Sequence, residues 1–252
     1  MPHKKLEVLK MRDRNESYHK KKGMLFDLPM KVAIIGRSQL SGKSNLVGNL
    51  LLSEDPRLYR HEFEGTNIYI FSPTAKTDFK IRTMIDELEV PTSNVFSSLD
   101  ENVLDALYEM IEDEFKSKVA QKQRPPHFLF YFDDVSASGD LKKHKNGALA
   151  KIVQNGRHVL ISTIVTSQTY IDTPRFLREN MSGGAFFAGT SRQLEVITED
   201  HSYVEAKVFK KMFRHHTNQP HSFMVVNYSN PPDARYMDTT FIPINPDDFN
   251  DC

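Results

Sequence analysis

The segment KVAIIGRSQLSGKSNLV, residues 31–47, carries more structural information than any other part of the chain. It begins with a short apolar run that predicts a buried strand. A turn follows, and then Gly42-Lys43-Ser44 opens an amphipathic run that predicts a helix. Because the backbone N–H groups at a helix N-terminus attract anions, this order of elements favours a phosphate-binding loop over a chance Gly-Lys-Ser at a helix start.

The residue types in this loop suit a nucleoside triphosphate. Gly42 lets the backbone approach a phosphate oxygen, Lys43 brings positive charge to the β- and γ-phosphates, and the Ser44 hydroxyl can bind Mg²⁺. Five residues separate Gly36 from Gly42, where the usual pattern has four. Either the loop is one residue longer, or Arg37 occupies the usual first-glycine position. The predicted nucleotide-binding residues are Gly36, Arg37, Ser38, Gln39, Leu40, Ser41, Gly42, Lys43, Ser44 and Asn45.

A second apolar run, Phe128–Phe132, ends in two adjacent acids, Asp133 and Asp134. Two carboxylates side by side at the end of a buried strand repel each other, and a Mg²⁺ ion would remove that conflict. We therefore expect Asp133 to support the metal and Asp134 to activate an attacking water. The alternative is a strand that ends in a solvated Asp-Asp turn. The phosphate loop upstream favours the metal-site interpretation over this alternative.

A third run, Val159–Val165, leads into Thr166-Ser167-Gln168. Gln168 could hydrogen-bond the γ-phosphate or the attacking water, or it could simply cap the strand end. Arginines flank this run at Arg157, Arg175 and Arg178. One of them could reach a neighbouring subunit's γ-phosphate, but from the residues alone each is as well explained by a surface ion pair.

Short apolar runs alternate with helical periodicity along the chain, which predicts a three-layer α/β P-loop sandwich with a mainly parallel sheet (RecA/FtsK-like). Besides Phe128–Phe132 and Val159–Val165, strands are expected at Lys31–Ile35, Asn67–Phe71, Ala185–Ala188 and Ser222–Asn227. The expected helices are Ser44–Leu52, Asp78–Leu88, Glu101–Lys122 and Lys145–Gln154, the last ended by Asn155-Gly156 in a left-handed turn.

The overall composition indicates the class of protein and its environment. The formal net charge is zero, with 39% hydrophobic and 26% charged residues, as in ordinary soluble proteins. The single cysteine, Cys252, excludes a cysteine-rich zinc module and indicates a reducing compartment. The chain has no apolar run long enough to span a membrane. We expect a basic arm at residues 1–29, one ATPase domain at 30–230 and a C-terminal tail at 231–252.

Taken together, these motifs resemble the viral genome-packaging ATPases of the poxvirus type, in the FtsK–HerA division of P-loop ATPases. The resemblance covers roughly residues 30–230 and rests on the order of five motifs. These are Ile34-Ile35-Gly36 to Leu46, Phe128–Asp134, Gly156-Arg157-His158, Ser162–Gln168, and Pro174-Arg175-Phe-Leu-Arg178. The extra loop residue is the main departure from the family pattern, and it puts the detailed loop geometry in question.

The resemblance implies an ATP hydrolase that forms a ring of five or six copies and drives double-stranded DNA into a preformed capsid. It assigns ATP and Mg²⁺ to Lys43, Ser44 and Asp133, catalysis to Asp134, and γ-phosphate sensing to Gln168. Arg157 is the first choice for a finger acting on the next subunit, and Arg178 is the second. A capsid vertex protein is a further expected partner, and the virion or host-cell cytoplasm is the expected location.

DNA should be held through its phosphates, because a motor that moves along arbitrary sequence cannot depend on base contacts. The candidate contacts are the basic arm, the Lys142–Lys145 cluster, and Lys207, Lys210, Lys211, Arg214, His215 and His216. Other functions remain open at this point. They are a conjugation, plasmid or replication motor, a nucleotide kinase, and a nucleotide-gated assembly protein with little turnover.

Overall fold

A computed structural model describes residues 14–38, 41–134 and 147–250 of the chain. In this part, eight strands form a single sheet: β1 Lys31–Ile35, β2 Ile68–Phe71, β3 Val95–Phe96, β4 Phe128–Asp133, β5 Ile161–Ser167, β6 Gly183–Phe187, β7 Phe223–Asn227 and β8 Tyr236–Met237. The helices there are α1 Lys43–Leu52, α2 Phe79–Glu87, α3 Glu101–Ala120, α4 Ala148–Asn155, α5 Arg175–Arg178, α6 Ser191–His201 and α7 Ala206–His216.

The strands lie in the order β3-β2-β4-β5-β1-β6-β7-β8. The first six in this order are parallel, and β7 and β8 extend the sheet in antiparallel fashion. The register pairs Ile35 with Ser167 and Asp133 with Thr166. The carboxyl ends of β1, β4 and β5 therefore lie together at one edge of the sheet.

The sheet is buried on both faces. Along β1, Ala33 and Ile35 face a core formed with α3, α4, α6 and α7, while Val32 and Ile34 face a second core formed with α1 and α2. Strands covered on both sides are mostly apolar on both faces, which is why the sequence runs are nearly continuous rather than alternating. The predicted three-layer α/β sandwich is confirmed.

One local prediction is wrong. Gly156 is not left-handed, since its φ is −53°, and the chain continues through a single 3-10 turn instead. The left-handed residue is Leu160, with φ 63°. Gly156 packs closely there, because a Cβ atom would lie 3.1 Å from the Cβ of Ile161.

The predicted limits of the ATPase domain stay a prediction. Residues on both sides of those limits contribute to the fold, since Leu25, Phe26 and Leu28 are buried in the core beside α1. At the other end, β8 pairs with β7. Every helix in the described ranges is too short or too polar to cross a membrane.

Candidate functional site

The loop between β1 and α1 starts at a glycine that is packed on two sides. The Gly36 N–H donates to the Ser167 carbonyl at 3.0 Å, which ties the loop to β5. A Cβ at Gly36 would lie 2.5 Å from the Ser41 Cβ and 2.8 Å from the Phe187 Cβ. Any larger residue would therefore push the loop away from β6. Gln39 and Leu40, predicted as part of this loop, lie outside the described residues.

The loop ends in a left-handed residue, Gly42, with φ 86° and ψ 26°. Ser41 closes the turn before it by donating from Oγ to the Arg37 carbonyl at 2.7 Å. Gly42 precedes α1 and has no side chain with which to cap the first N–H groups of the helix. This end of α1 is therefore suited to an anionic ligand.

Lys43 folds back over the loop, and its Nζ donates to the Gly36 carbonyl at 2.6 Å. Burial lowers the pKa of Lys43, while Asp134 and Asp133 act in the opposite direction. The amine therefore lies on the loop and within electrostatic range of both carboxylates. The Ser44 and Asn45 side chains follow in the first turn of α1.

Asp133 is almost fully buried at 6% exposure and accepts hydrogen bonds from three hydroxyls. Oδ2 accepts from Ser72 at 2.9 Å, and Oδ1 accepts from Tyr131 at 2.9 Å and Thr166 at 2.8 Å. These donors come from the end of β2, from β4 itself and from β5. These three hydrogen bonds hold the carboxylate in one orientation.

Asp134 lies in a different environment one residue later, with a positive φ of 48°. Its N–H donates to the Thr166 Oγ1 at 3.0 Å, so the Thr166 hydroxyl links the two acids. Its Oδ2 accepts from Gln168 Nε2 at 2.7 Å. Its Oδ1 is buried and has no hydrogen-bond partner among the described residues.

The carboxyl edge thus brings together Lys43, Asp133, Asp134 and Gln168, which the sequence placed far apart. It also adds three hydroxyl residues that sequence reasoning did not single out, namely Ser72, Tyr131 and Thr166. Ser72 and Thr166 each stand at the end of an apolar run in the sequence. This position is the signal that could have identified them as residues of the site. Tyr131 looked like an ordinary core residue.

The oxygen atoms of Ser44 and Asp133 fit Mg²⁺, which prefers oxygen ligands. No group of three or more His, Cys, Asp or Glu residues in the described ranges could hold a metal ion. Mg²⁺ does not require such a group, since it is usually bound by one or two carboxylates together with substrate phosphates. The Asp134 Oδ1 atom has no hydrogen-bond partner among the described residues and could accept a hydrogen bond from a further ligand or water.

The two arginines chosen from the family pattern lie in different surroundings. Arg157 is exposed in the turn before β5, at the amino edge of the sheet. Roughly 20 Å of strand separates it from Gln168 at the other end of β5. It lies near Lys31, whose pKa falls to about 8, chiefly through burial and then through the charge of Arg157.

Arg178, by contrast, is bound within its own subunit. Its guanidinium forms an ion pair with Asp200 and lies 5.2 Å from the Tyr170 ring centre. The Tyr170 hydroxyl also donates to Asp200 at 2.8 Å. Only 18% of the Arg178 side chain is exposed, so it would have to leave these contacts to reach another subunit.

The basic residues proposed for DNA contact are only partly described. The Lys142–Lys145 cluster and residues 1–13 of the basic arm lie outside the described residues. On α7, the Lys207, Arg214 and His215 side chains are exposed, and Lys210 forms a 2.5 Å ion pair with Glu195. The α7 residues therefore form a basic surface that also carries intramolecular pairs.

Comparisons with known proteins place this fold and site in a family. The family described as Poxvirus A32 protein matches residues 17–230 of the chain. No curated protein matches it.

Three solved structures show the same fold. The genome packaging NTPase B204 from Sulfolobus turreted icosahedral virus 2, in complex with AMP, has a TM-score of 0.56 at 13% identity, over 86% of this chain and 98% of that one. The DNA-packaging ATPase B204 from Sulfolobus turreted icosahedral virus has a TM-score of 0.54 at 17% identity, over 80% and 94%. The pCW3 conjugation coupling protein TcpA, in its monomer form with ATPgS, has a TM-score of 0.52 at 10% identity, over 81% and 58%.

At these identities the solved structures establish the architecture, and the family match establishes the relationship. The match covers most of the chain, including the phosphate loop, the acidic end of β4 and Gln168. The chain belongs to the Poxvirus A32 protein family, and it is a P-loop ATPase.

Proposed function

We propose that this chain hydrolyses ATP to drive double-stranded DNA into a viral capsid. The observation that carries the proposal is the position of Lys43, whose amine is bonded to the phosphate loop and feels the charges of Asp134 and Asp133. A triphosphate on the loop would thus meet a cation and two differently held acids at one sheet edge. This combination suits the hydrolysis of a phosphoanhydride.

The triphosphate would bind at the N-terminus of α1, with residues 36–45 around it. Lys43 would exchange its hydrogen bond to the Gly36 carbonyl for the β- and γ-phosphate oxygens. The exchange is favourable because a charged acceptor forms a stronger hydrogen bond than a neutral carbonyl. Ser44 and Asp133 would hold Mg²⁺, which when bound neutralises charge on these phosphates.

Asp134 and Gln168 would act on the attacking water. Asp134 Oδ1 lacks a partner in the described ranges and can accept a hydrogen bond from water, while Gln168 fixes the other oxygen. The water oxygen would form a bond to the γ-phosphorus, the bond from that phosphorus to the ADP oxygen would break, and Asp134 would take the water proton. Asp134 is preferred to Asp133 as the base, because both oxygens of Asp133 already accept hydrogen bonds from hydroxyl groups.

The proposed finger is Arg157, acting on the nucleotide of an adjacent subunit. It is exposed and lies at the edge of the sheet remote from its own phosphate loop, so it can serve only a neighbour. A ring of five or six copies would supply that neighbour at every site. Each site would then be completed by contact between subunits, which couples hydrolysis to assembly.

Packaging is favoured over other motors by the family match. The conjugation coupling protein TcpA shares the fold but only 10% identity, so that likeness does not separate packaging from conjugation. DNA phosphates would be bound by basic residues such as those of α7, and a capsid vertex protein would dock the ring. The viral assembly site in the cytoplasm is the expected location.

The experiment is to measure ATP hydrolysis with and without long double-stranded DNA at several protein concentrations, beside Lys43→Ala and Asp134→Asn. Turnover should rise with DNA and more than linearly with protein, and both substitutions should abolish it. A wild type that binds ATP yet never exceeds the variants, at high concentration and with DNA, would contradict the proposal for the isolated chain.

A further inference from the structure

A small cavity lies beside the phosphate loop, on the side away from the acids. It measures about 160 Å³ and is lined by Arg37, Ser41, Phe187, Gly189, Gln219 and His221, among others. These residues come from the loop itself, from the end of β6 and from the turn before β7. We call it the loop-side cavity.

The order of the strands determines which end of a nucleotide would face this cavity. β1, which carries the loop, lies between β5 and β6. Asp133, Asp134 and Gln168 all lie on the β4–β5 side, where the terminal phosphate would be hydrolysed. The nucleoside must then leave the loop on the β6–β7 side, where the loop-side cavity opens.

His221 is held close to the loop in an uncommon conformation. Its φ is 63°, a left-handed value that is uncommon for a residue with a Cβ atom, although histidine adopts it more often than most residues. Its ring Nδ1 lies 3.4 Å from the position that a Cβ at Gly42 would occupy. An imidazole is thus placed beside the glycine that precedes the phosphate-binding turn of α1.

The turn that contains His221 is stabilised by hydrogen bonds within the turn. The Gln219 N–H donates to the Ser222 Oγ at 3.1 Å, and the Ser222 hydroxyl donates back to the Gln219 carbonyl at 2.7 Å. The backbone of Gln219 is therefore occupied, while its side chain is exposed at the cavity. A carboxamide can donate and accept hydrogen bonds at once, which suits the polar edge of a nucleobase.

We infer that the loop-side cavity receives the base of the bound nucleoside triphosphate, with His221 stacking on the base and Gln219 contacting its polar edge. The inference rests on the proposed function and extends it to nucleotide selection. The lining that we describe contains an aromatic ring, an imidazole, a guanidinium and an amide but no carboxylate. Such a set fits a planar, neutral, hydrogen-bonding group next to an anion. The volume is below that of a cavity enclosing a whole ligand, which fits the base alone.

The test compares binding of ATP with binding of inorganic tripolyphosphate, which has no base. His221→Ala should weaken ATP binding by about 5- to 100-fold, the range for loss of one base-stacking contact, and leave tripolyphosphate binding unchanged. His221→Phe should retain ATP affinity, because a phenyl ring also stacks. Lys43→Ala should weaken both ligands. His61→Ala is the matched control, since His61 is an exposed histidine in another cavity, and it should change neither.

A second variant tests the polar contact. Gln219→Leu keeps the size of the side chain but removes its amide, so it should change the ratio of ATP to GTP affinity and leave tripolyphosphate binding unchanged. Equal weakening of ATP and tripolyphosphate by His221→Ala, or no weakening of either, would overturn the assignment, and so would an unchanged ATP to GTP ratio in Gln219→Leu. If the base-dependent losses occur but the chain neither hydrolyses ATP nor responds to DNA, the proposed function fails and this assignment stands.

Discussion

Gln168 donates a hydrogen bond from Nε2 to Asp134 Oδ2 at 2.7 Å, which joins the ends of β5 and β4. The other Asp134 oxygen is buried without a hydrogen-bond partner among the described residues. The amide therefore fixes one oxygen, and the other is the oxygen to which we assign the attacking water. Any movement of the Gln168 side chain toward a phosphate would break this hydrogen bond and release Asp134 Oδ2.

Gln168→Ala should reduce kcat for ATP hydrolysis by roughly 10²- to 10³-fold, the range for loss of one positioned donor, with little change in KM. Gln168→Glu should be at least as harmful, because it places a second carboxylate against Asp134. Steady-state hydrolysis at saturating DNA measures both variants. Unchanged kcat in Gln168→Ala would show that the amide serves only as a strand cap.

Thr166→Val should disturb both acids, because the Thr166 hydroxyl donates to Asp133 and accepts from the Asp134 N–H. Leaving such buried groups without a partner costs about 1–3 kcal/mol, so the free energy of unfolding should fall by that amount. Thr166→Ser keeps the hydroxyl and is the matched control. Chemical denaturation of the three proteins measures the effect, and equal stability of the Val and Ser variants would refute it.

Arg157→Ala should abolish hydrolysis when every subunit carries it, without weakening ATP binding. A mixture of Arg157→Ala with Lys43→Ala should regain part of the activity, because an intact loop on one subunit can meet an intact Arg157 on the next. Hydrolysis is measured across mixing ratios. A mixture no more active than its components would place Arg157 outside the shared site.

Arg178→Ala is the contrasting variant in the same series. Since Arg178 is paired with Asp200 and packs on Tyr170, its loss should lower thermal stability more than Arg157→Ala does. Thermal unfolding of both variants makes the comparison. An Arg178→Ala protein with unchanged stability and no turnover would reverse the choice between the two arginines.

Stability should fall as the pH drops from about 6.5 toward 4, in part because of His201. Burial, helped by Arg178 and opposed by Asp200, lowers the pKa of this histidine to about 4, whereas an unfolded histidine has a pKa near 6.5. Between these values the unfolded chain binds more protons, so its free energy falls relative to the folded state as the pH decreases. The expected loss is on the order of a few kcal/mol.

The pH effect is measured by denaturant unfolding between pH 4 and 7 for the wild type and His201→Gln. Glutamine can keep hydrogen bonds to the Tyr170 and Tyr228 hydroxyls but does not titrate. The variant should therefore show a shallower decline over this range. Parallel pH profiles for the two proteins would rule out His201 as a contributor.

Patterns local in sequence predicted more of this molecule than patterns that depend on distant residues. The β1 strand and α1 were predicted within one residue, because an apolar run, a glycine and a Lys-Ser pair follow one another directly. The two-residue strands β3 and β8 are too short to show a period, and α6 and α7 were not predicted either. Their formation depends on packing against the sheet.

The same difference between local and long-range sequence patterns applies to the residues of the candidate site. Lys43, Asp133, Asp134 and Gln168 were each recognisable from an adjoining strand or turn. The hydroxyl contacts to Asp133 join Ser72 and Thr166 across 61 and 33 residues of sequence, so only the order of the strands could reveal them. The pairing of Arg178 with Asp200 likewise depends on where α5 and α6 meet.

The central claim, ATP-driven movement along double-stranded DNA, is tested most directly by displacement of a triplex-forming oligonucleotide. The oligonucleotide is placed at increasing distances from the end of a linear duplex, and its release is followed after ATP is added. Release should follow a lag that grows with distance, and Asp134→Asn should release no oligonucleotide. DNA-stimulated ATP hydrolysis that releases no oligonucleotide at any distance would contradict it.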